Sequence, residues 1–163
     1  MGTKAKHFIP EGYTSLTPYL IIRDAARAIE WYTKALGAKE IMRMPMPDGR
    51  VGHAELQVGN ARLMLGDEVP DQGCHAPQSV GGTPVHIFLY CENVDATFKS
   101  AVDSGATPRM PPTDMFWGDR YGKFGDPFGH EWGIATHTTD CTAEEMTKGA
   151  EEWSAANAKK ASA

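Results

Sequence analysis

Apolar and polar positions recur along the chain with two periods, helical and strand-like, and the same order of elements is written twice. Ala25, Ile29, Tyr32 and Leu36 are spaced i, i+4, i+7, i+11, which places them on one helix face. Val94, Phe98, Ala101 and Gly105 repeat that spacing. Asp24 and Asn93 precede the two stripes as N-caps, and Gly37 and Gly105 stand where a left-handed C-terminal glycine belongs. A short strand-like run precedes each helix, Thr17-Pro-Tyr-Leu-Ile-Ile and Thr83-Pro-Val-His-Ile-Phe, and Leu36-Gly-Ala38 and Ser104-Gly-Ala106 follow. Arg43-Met44 and Arg109-Met110 close the comparison. An offset of about 66–69 residues is too long for a solenoid unit, so it predicts a duplicated half-domain.

The remaining segments alternate as strands. Over Arg50–Val58, Gly52, Ala54, Leu56 and Val58 share one face, and Val51, His53, Glu55 and Gln57 share the other. The turn Gly59-Asn60 joins this strand to Ala61–Leu65 as a hairpin. Val85, Ile87 and Leu89 oppose His86, Phe88 and Tyr90, and Trp132 and Ile134 oppose Glu131, Gly133 and Ala135. Each strand thus has an apolar face and a mixed face with titratable groups. That predicts sheets covered by helices on one side, with a concave, partly polar side as the place for a small-molecule site.

Residues 67–82 read as a linker, and Pro111–Gly129, rich in Gly and Pro but carrying Phe116, Trp117, Arg120, Tyr121 and Phe124, as an irregular loop. Thr142-Ala-Glu-Glu145 is a capping box, and Met146, Ala150 and Trp153 at helical spacing predict a C-terminal helix packed on the body or on a second chain. Its stripe stops at Asn157, and residues 158–163 are expected to fray. The chain divides into a flexible start (1–13), a first βαβββ module (14–66), the linker, a second module (83–137) and a helical tail (138–163).

Composition narrows the function classes. A net charge of −5 gives no basic field for nucleic acid or anionic lipid. Apolar runs stay far short of the roughly 20 residues of a membrane span, and the first residues lack the apolar core of a secretory signal. Cys74, Cys91 and Cys141 are odd in number and unpatterned, which argues against a disulfide framework or zinc knuckle and for a reducing compartment, the cytoplasm.

Several motifs carry a resemblance. Leu20-Ile-Ile-Arg-Asp24 with Ala28-Ile-Glu-Trp-Tyr32 and Leu36-Gly-Ala38 resembles the first half of a glyoxalase or bleomycin-resistance-type protein, and Gly125-Asp-Pro-Phe-Gly-His130 resembles the turn before the last strand of such proteins. Gly52-His-Ala-Glu-Leu56, Gly81-Gly-Thr-Pro-Val85, Trp117-Gly-Asp-Arg120 and Ala135-Thr-His137 are similar to the PhnB-like branch of this vicinal oxygen chelate superfamily. The resemblance spans about residues 14–145. It implies an α+β fold in which two βαβββ modules form a cup-shaped, partly open mixed barrel, here with a C-terminal helix, and it implies a homodimer.

The resemblance also implies one divalent metal held from four positions, which fall on Thr17, Glu55, His86 and Gly133. Only Glu55 and His86 offer good ligands, so glyoxalase I activity is not expected. A carboxylate plus an imidazole suits Zn, Fe, Mn or Ni. His53 or Glu131 would complete a three-ligand site or move a proton in lyase, isomerase or dioxygenase-type chemistry. The competing reading of Glu55 and His86 is a metal-free hydrogen-bonded pair in a polar cavity. Tyr19, Phe88, Tyr90 and Phe116 are expected to line the cup. Trp117 and Arg120 are expected either to close over a small polar or anionic ligand or, with Asp119, to pin their loop. A sequestering protein for a drug or metabolite and a homodimeric interaction module are the alternatives to an enzyme.

Overall fold

The computed structural model describes the backbone of residues 2–161 and side chains through Asn157. The first module runs β1 (Tyr19–Ile22), α1 (Ala25–Leu36), β2 (Lys39–Pro45), β3 (Val51–Val58) and β4 (Ala61–Asp67). A 3-10 turn (Pro70–Gln72) and the one-turn helix α2 (Pro77–Val80) lead to β5 (His86–Tyr90), α3 (Val94–Asp103), β6 (Thr107–Asp114), β7 (Asp119–Gly125), β8 (Glu131–His137) and the tail helix α4 (Ala143–Ala161). The sheet orders β1-β4-β3-β2 and β5-β8-β7-β6 are the same order written twice. In each, the first strand pairs in parallel with the last and the other neighbours are antiparallel. The duplication and the α+β class read from the sequence are present.

One core serves both modules. Ile22, Leu56 and Leu65 of the first sheet and Phe124, Trp132 and Ile134 of the second belong to a single buried cluster with Ala28, Ile29 and Tyr32 of α1 and Val94 and Ala101 of α3. Trp31 packs 6.2 Å from Phe124 and donates to the Ser104 carbonyl at 2.8 Å, and Tyr32 packs 5.7 Å from Trp132. Helix α1 is therefore buried against the second sheet as well as its own. Because the helix-facing sides of both sheets meet this one core, their mixed faces look outward from it.

Two carboxylates, the exposed Asp24 and the buried Asp67, hold the backbone at critical points. Asp24 caps α1 through Arg27 N–H at 3.2 Å, from a left-handed backbone (φ 62°) that non-glycine residues seldom adopt. Asp67, at the end of β4, accepts from Ala25 N–H at 2.9 Å and Val51 N–H at 2.7 Å, tying the start of α1 to β3.

The segment read as an irregular loop, 111–129, is instead mostly strand. Pro111 and Pro112 lie in β6, the outer strand of its sheet, where a missing N–H removes no central ladder bond, and the register slips between Met110 and Thr113. The linker is also built. Glu68 is held down to about 2 by the Ser79 hydroxyl, Ala76 N–H and Arg23. The capping box forms as expected, with Glu145 N–H donating to Thr142 Oγ1 at 3.2 Å and Thr142 N–H donating to Glu145 Oε2 at 2.8 Å. Met146 and Trp153 remain exposed, and α4 meets the body through Phe116, whose ring lies 6.5 Å from Trp153. The expected fraying concerns residues whose side chains, and for the last two also the backbone, lie outside the described residues.

Candidate functional site

The outward face of the first sheet gathers a hydrogen-bonded chain. Strand alternation on β3 sends Ala54 and Leu56 into the core and leaves His53 and Glu55 on the other side. His53 Nδ1 lies 3.0 Å from Tyr19 Oη, and His53 Nε2 lies 3.3 Å from Glu55 Oε1. Glu55 is kept below the usual carboxylate range, first by the nearby Tyr13 hydroxyl and then by His53 and the charge of Arg62. An ionised Glu55 can only accept, so His53 donates Nε2–H to it, and in that tautomer Nδ1 accepts from the Tyr19 hydroxyl.

Residues 8–14 border an open cavity of about 500 Å³ on this face, whose lining includes Phe8, Tyr13, Thr17, Glu55 and Met64. Arg62 stands 5.6 Å over the Tyr13 ring with Nε and Nη1 buried and without hydrogen-bond partners. Tyr13 and Arg62 were not singled out by sequence reasoning. The available signal was Arg62 on the same face of its strand as Met64, opposite the apolar Leu63 and Leu65.

The outward face of the second sheet is aromatic. Phe88 is 50% and Tyr90 60% exposed, and Tyr121 of β7 lies parallel to Phe88 (5.5 Å, 5°). Asp119, 3% exposed, organises the neighbourhood by accepting from Tyr90 Oη (3.0 Å), Trp117 Nε1 (3.0 Å) and His137 Nδ1 (2.7 Å). Trp117 in turn meets Phe116 at 5.0 Å. His137 Nε2 reaches Asp140 at 3.0 Å, and the two carboxylates, Asp119 first, raise its pKa above the ordinary 6.5. A raised folded-state pKa means this clamp is fully present below about pH 6.5 and is lost as pH rises through the higher folded value. An NMR titration of the His137 ring is expected to give a midpoint above 6.5 that falls in Asp119→Asn. An unmoved midpoint would remove Asp119 as its cause.

Other candidates fall elsewhere. The Arg120 guanidinium is committed to Asp95 (2.7 and 2.8 Å) and Asp114 (3.0 Å), so it fastens α3 to β6 and β7 rather than closing over a ligand or pairing with Asp119. Glu131 is gripped by Arg109 at 2.8 Å. His86 is exposed on β5, and the cavity that Glu55 lines does not reach it. The convergence of Glu55 and His86 in one hollow is therefore not formed within one chain, because the shared core sits behind both faces.

Among the described residues, no three His, Cys, Asp or Glu side chains gather as a metal site. The Gly133 position offers no donor, and a Cβ there would lie 2.9 Å from Tyr121. The donors that one chain assembles are His53 and Glu55, short of the three side chains that hold a catalytic zinc. They do not fit the group.

No helix among the described residues is long and apolar enough to cross a membrane. The sequence profile of the Glyoxalase/Bleomycin resistance protein/Dioxygenase superfamily matches residues 11–134. An uncharacterised protein of Mycobacterium bovis is 43% identical over 136 residues, covering 81% of this chain and 89% of that protein. TioX from Micromonospora sp. ML1 superposes with a TM-score of 0.62 at 25% identity, over 76% of this chain and 98% of that one. A PhnB protein from Bacillus cereus shares the fold at a TM-score of 0.58 and 17% identity, over 76% and 99%. With the duplicated βαβββ modules, these matches establish that the chain belongs to the glyoxalase/bleomycin resistance protein/dioxygenase superfamily.

Proposed function

We propose that the protein binds a small polar or anionic organic molecule on the outward faces of its sheets, and that two copies of the chain close those faces over it. The observation that carries the reading is the chain Tyr19–His53–Glu55 beside a cavity, with the buried, unpartnered Arg62 donors supplying positive charge for an anionic group. A proton leaving the bound molecule passes through Tyr19 to His53 Nδ1. The imidazolium so formed faces the ionised Glu55, which stabilises it. Three free cysteines support a reducing compartment, the cytoplasm.

The test incubates the protein with a cellular small-molecule extract and follows the compounds by mass spectrometry. One compound is expected to be depleted and converted, with the rate falling about 100-fold in Glu55→Gln. A compound released unchanged on denaturation would instead make the protein a sequestering one. No depletion at all overturns the reading.

A homodimer is supported by exposed Tyr19 and Met44 on one face and Phe88 and Tyr90 on the other. Sedimentation is expected at twice the 17.8 kDa chain mass, and at the chain mass in Met44→Asp/Phe88→Asp. A monomeric wild type rules out closure by a second copy.

A further inference from the structure

The second sheet's outward face is costly in a way that packing within one chain does not explain. Phe88 and Tyr90 present half or more of their surface to solvent although both are large aromatic residues. Their rings are nonetheless set in orientation by their neighbours. Tyr90 is fixed by its hydroxyl on Asp119, a carboxylate withdrawn from water, and the same carboxylate fixes Trp117 at the next ring along. Phe88 lies parallel to Tyr121 and 5.1 Å from Tyr90, and Trp117 stands edge-on to Tyr121 at 5.8 Å. Tyr121 reaches this place only because residue 133 is glycine. A Cβ there would lie 2.9 Å from Tyr121 Cε2 and Oη and 3.2 Å from Phe88.

The platform also adjoins a groove of about 1150 Å³, one wall of which is the run from Phe88 through Tyr90 to Asn93 with Thr97 of α3, bounded across from it by the β3–β4 turn at Gly59-Asn60 and by the end of α1 at Leu36-Gly37. That volume takes a drug-sized molecule. Rings oriented in advance by hydrogen bonds, with their surfaces left open beside a groove, suit a flat π-system, since aromatic pairs gain from set geometry beyond the area they cover. An aliphatic group covering the same area lacks that added ring–ring gain.

We propose that the molecule bound on the outward faces carries a planar aromatic ring that stacks on the Phe88–Tyr90–Tyr121 platform. This inference rests on the reading of those faces as the binding site and adds the ligand's class.

The probes that test it are 2-naphthoate and its saturated counterpart decahydro-2-naphthoate, which share a carboxylate and a carbon skeleton. Titration calorimetry on the full chain is expected to give naphthoate roughly tenfold tighter binding. That advantage is expected to vanish in Phe88→Ala and to persist in Phe88→Trp, and naphthoate protons should shift upfield from the ring currents. Phe88 is half-exposed, so its replacement leaves the core intact. Gly133→Ala, which removes no ring but pushes Tyr121 aside, is expected to weaken naphthoate as Phe88→Ala does. Equal affinity for the two probes, an unchanged preference in Phe88→Ala, or binding of neither overturns the stacking proposal. The extract and sedimentation experiments then report separately whether the shared cup stands.

Discussion

Asp126→Ala is expected to lower the folding free energy by about 4–6 kcal/mol, a large part of the 5–15 kcal/mol that a domain of ordinary stability possesses. The carboxylate is 6% exposed and accepts four hydrogen bonds: Tyr32 Oη at 2.6 Å, Trp132 Nε1 at 2.9 Å, and the Phe128 and His130 N–H groups at 2.9 Å. Tyr32 belongs to the first module and Trp132 to the second, so this one side chain fastens the modules through the core. Its removal strands four donors, each costing about 1–3 kcal/mol when buried without a partner, less what entering water recovers. Asp126→Asn keeps one oxygen for one pair of donors and turns an NH₂ toward the other, so about half the loss is expected. Urea denaturation followed by circular dichroism measures both. A loss under 1 kcal/mol for the alanine variant would show that the hub is not structural.

Gly118→Ala is expected to be nearly as damaging, by about 3 kcal/mol, for a different reason. Gly118 has φ +93°, and a Cβ on it would sit 1.9 Å from the Thr139 carbonyl oxygen, a backbone atom that cannot turn aside. The Gly118 carbonyl meanwhile accepts from Thr138 N–H and Thr139 N–H, both at 2.9 Å, so the two backbones cannot separate without losing those bonds. Gly37→Ala is the control. Its φ of +66° is also left-handed, but its Cβ would meet nothing within 4 Å, so only the backbone cost of about 1–2 kcal/mol applies. Thermal denaturation of the pair separates clash from conformation. Equal losses would mean that the β6–β7 turn yields more easily than its hydrogen bonds imply.

Much of the fold was legible in the sequence because the relevant information is local. Asp24 and Asn93 cap their helices, Gly59-Asn60 turns the hairpin, and the stripes of α1 and α3 face the core as their spacing names, except that Gly105 lies exposed beyond the end of α3. Strand β6 was not legible, because a proline in a strand is excluded or tolerated according to whether that strand lies at an edge, which is a property of the whole sheet; β7, which has no proline, was hidden by the glycines Gly122 and Gly125 that punctuate it. The candidate site was half legible. Alternation put His53, Glu55, Phe88 and Tyr90 on outward faces, as they are. Alternation cannot say which way two sheets face each other. That was decided by Trp31 and Tyr32, whose side chains draw α1 against the second sheet and so turn the faces away from the common core. Arg120 misled for the same reason: its partner Asp95 is 25 positions away and comes within reach only when α3 docks.

The four tryptophans divide into two spectroscopic populations. Trp31 and Trp132 are sealed in the core between the modules, while Trp117 and Trp153 sit on the second face and the tail helix. Emission from the sealed pair should be blue and quenched little by iodide, and should redden only when the modules part. The outer pair should be iodide-sensitive and change when something covers that side. One fluorimeter trace at two wavelengths can therefore tell loss of structure from occupancy, with no added label.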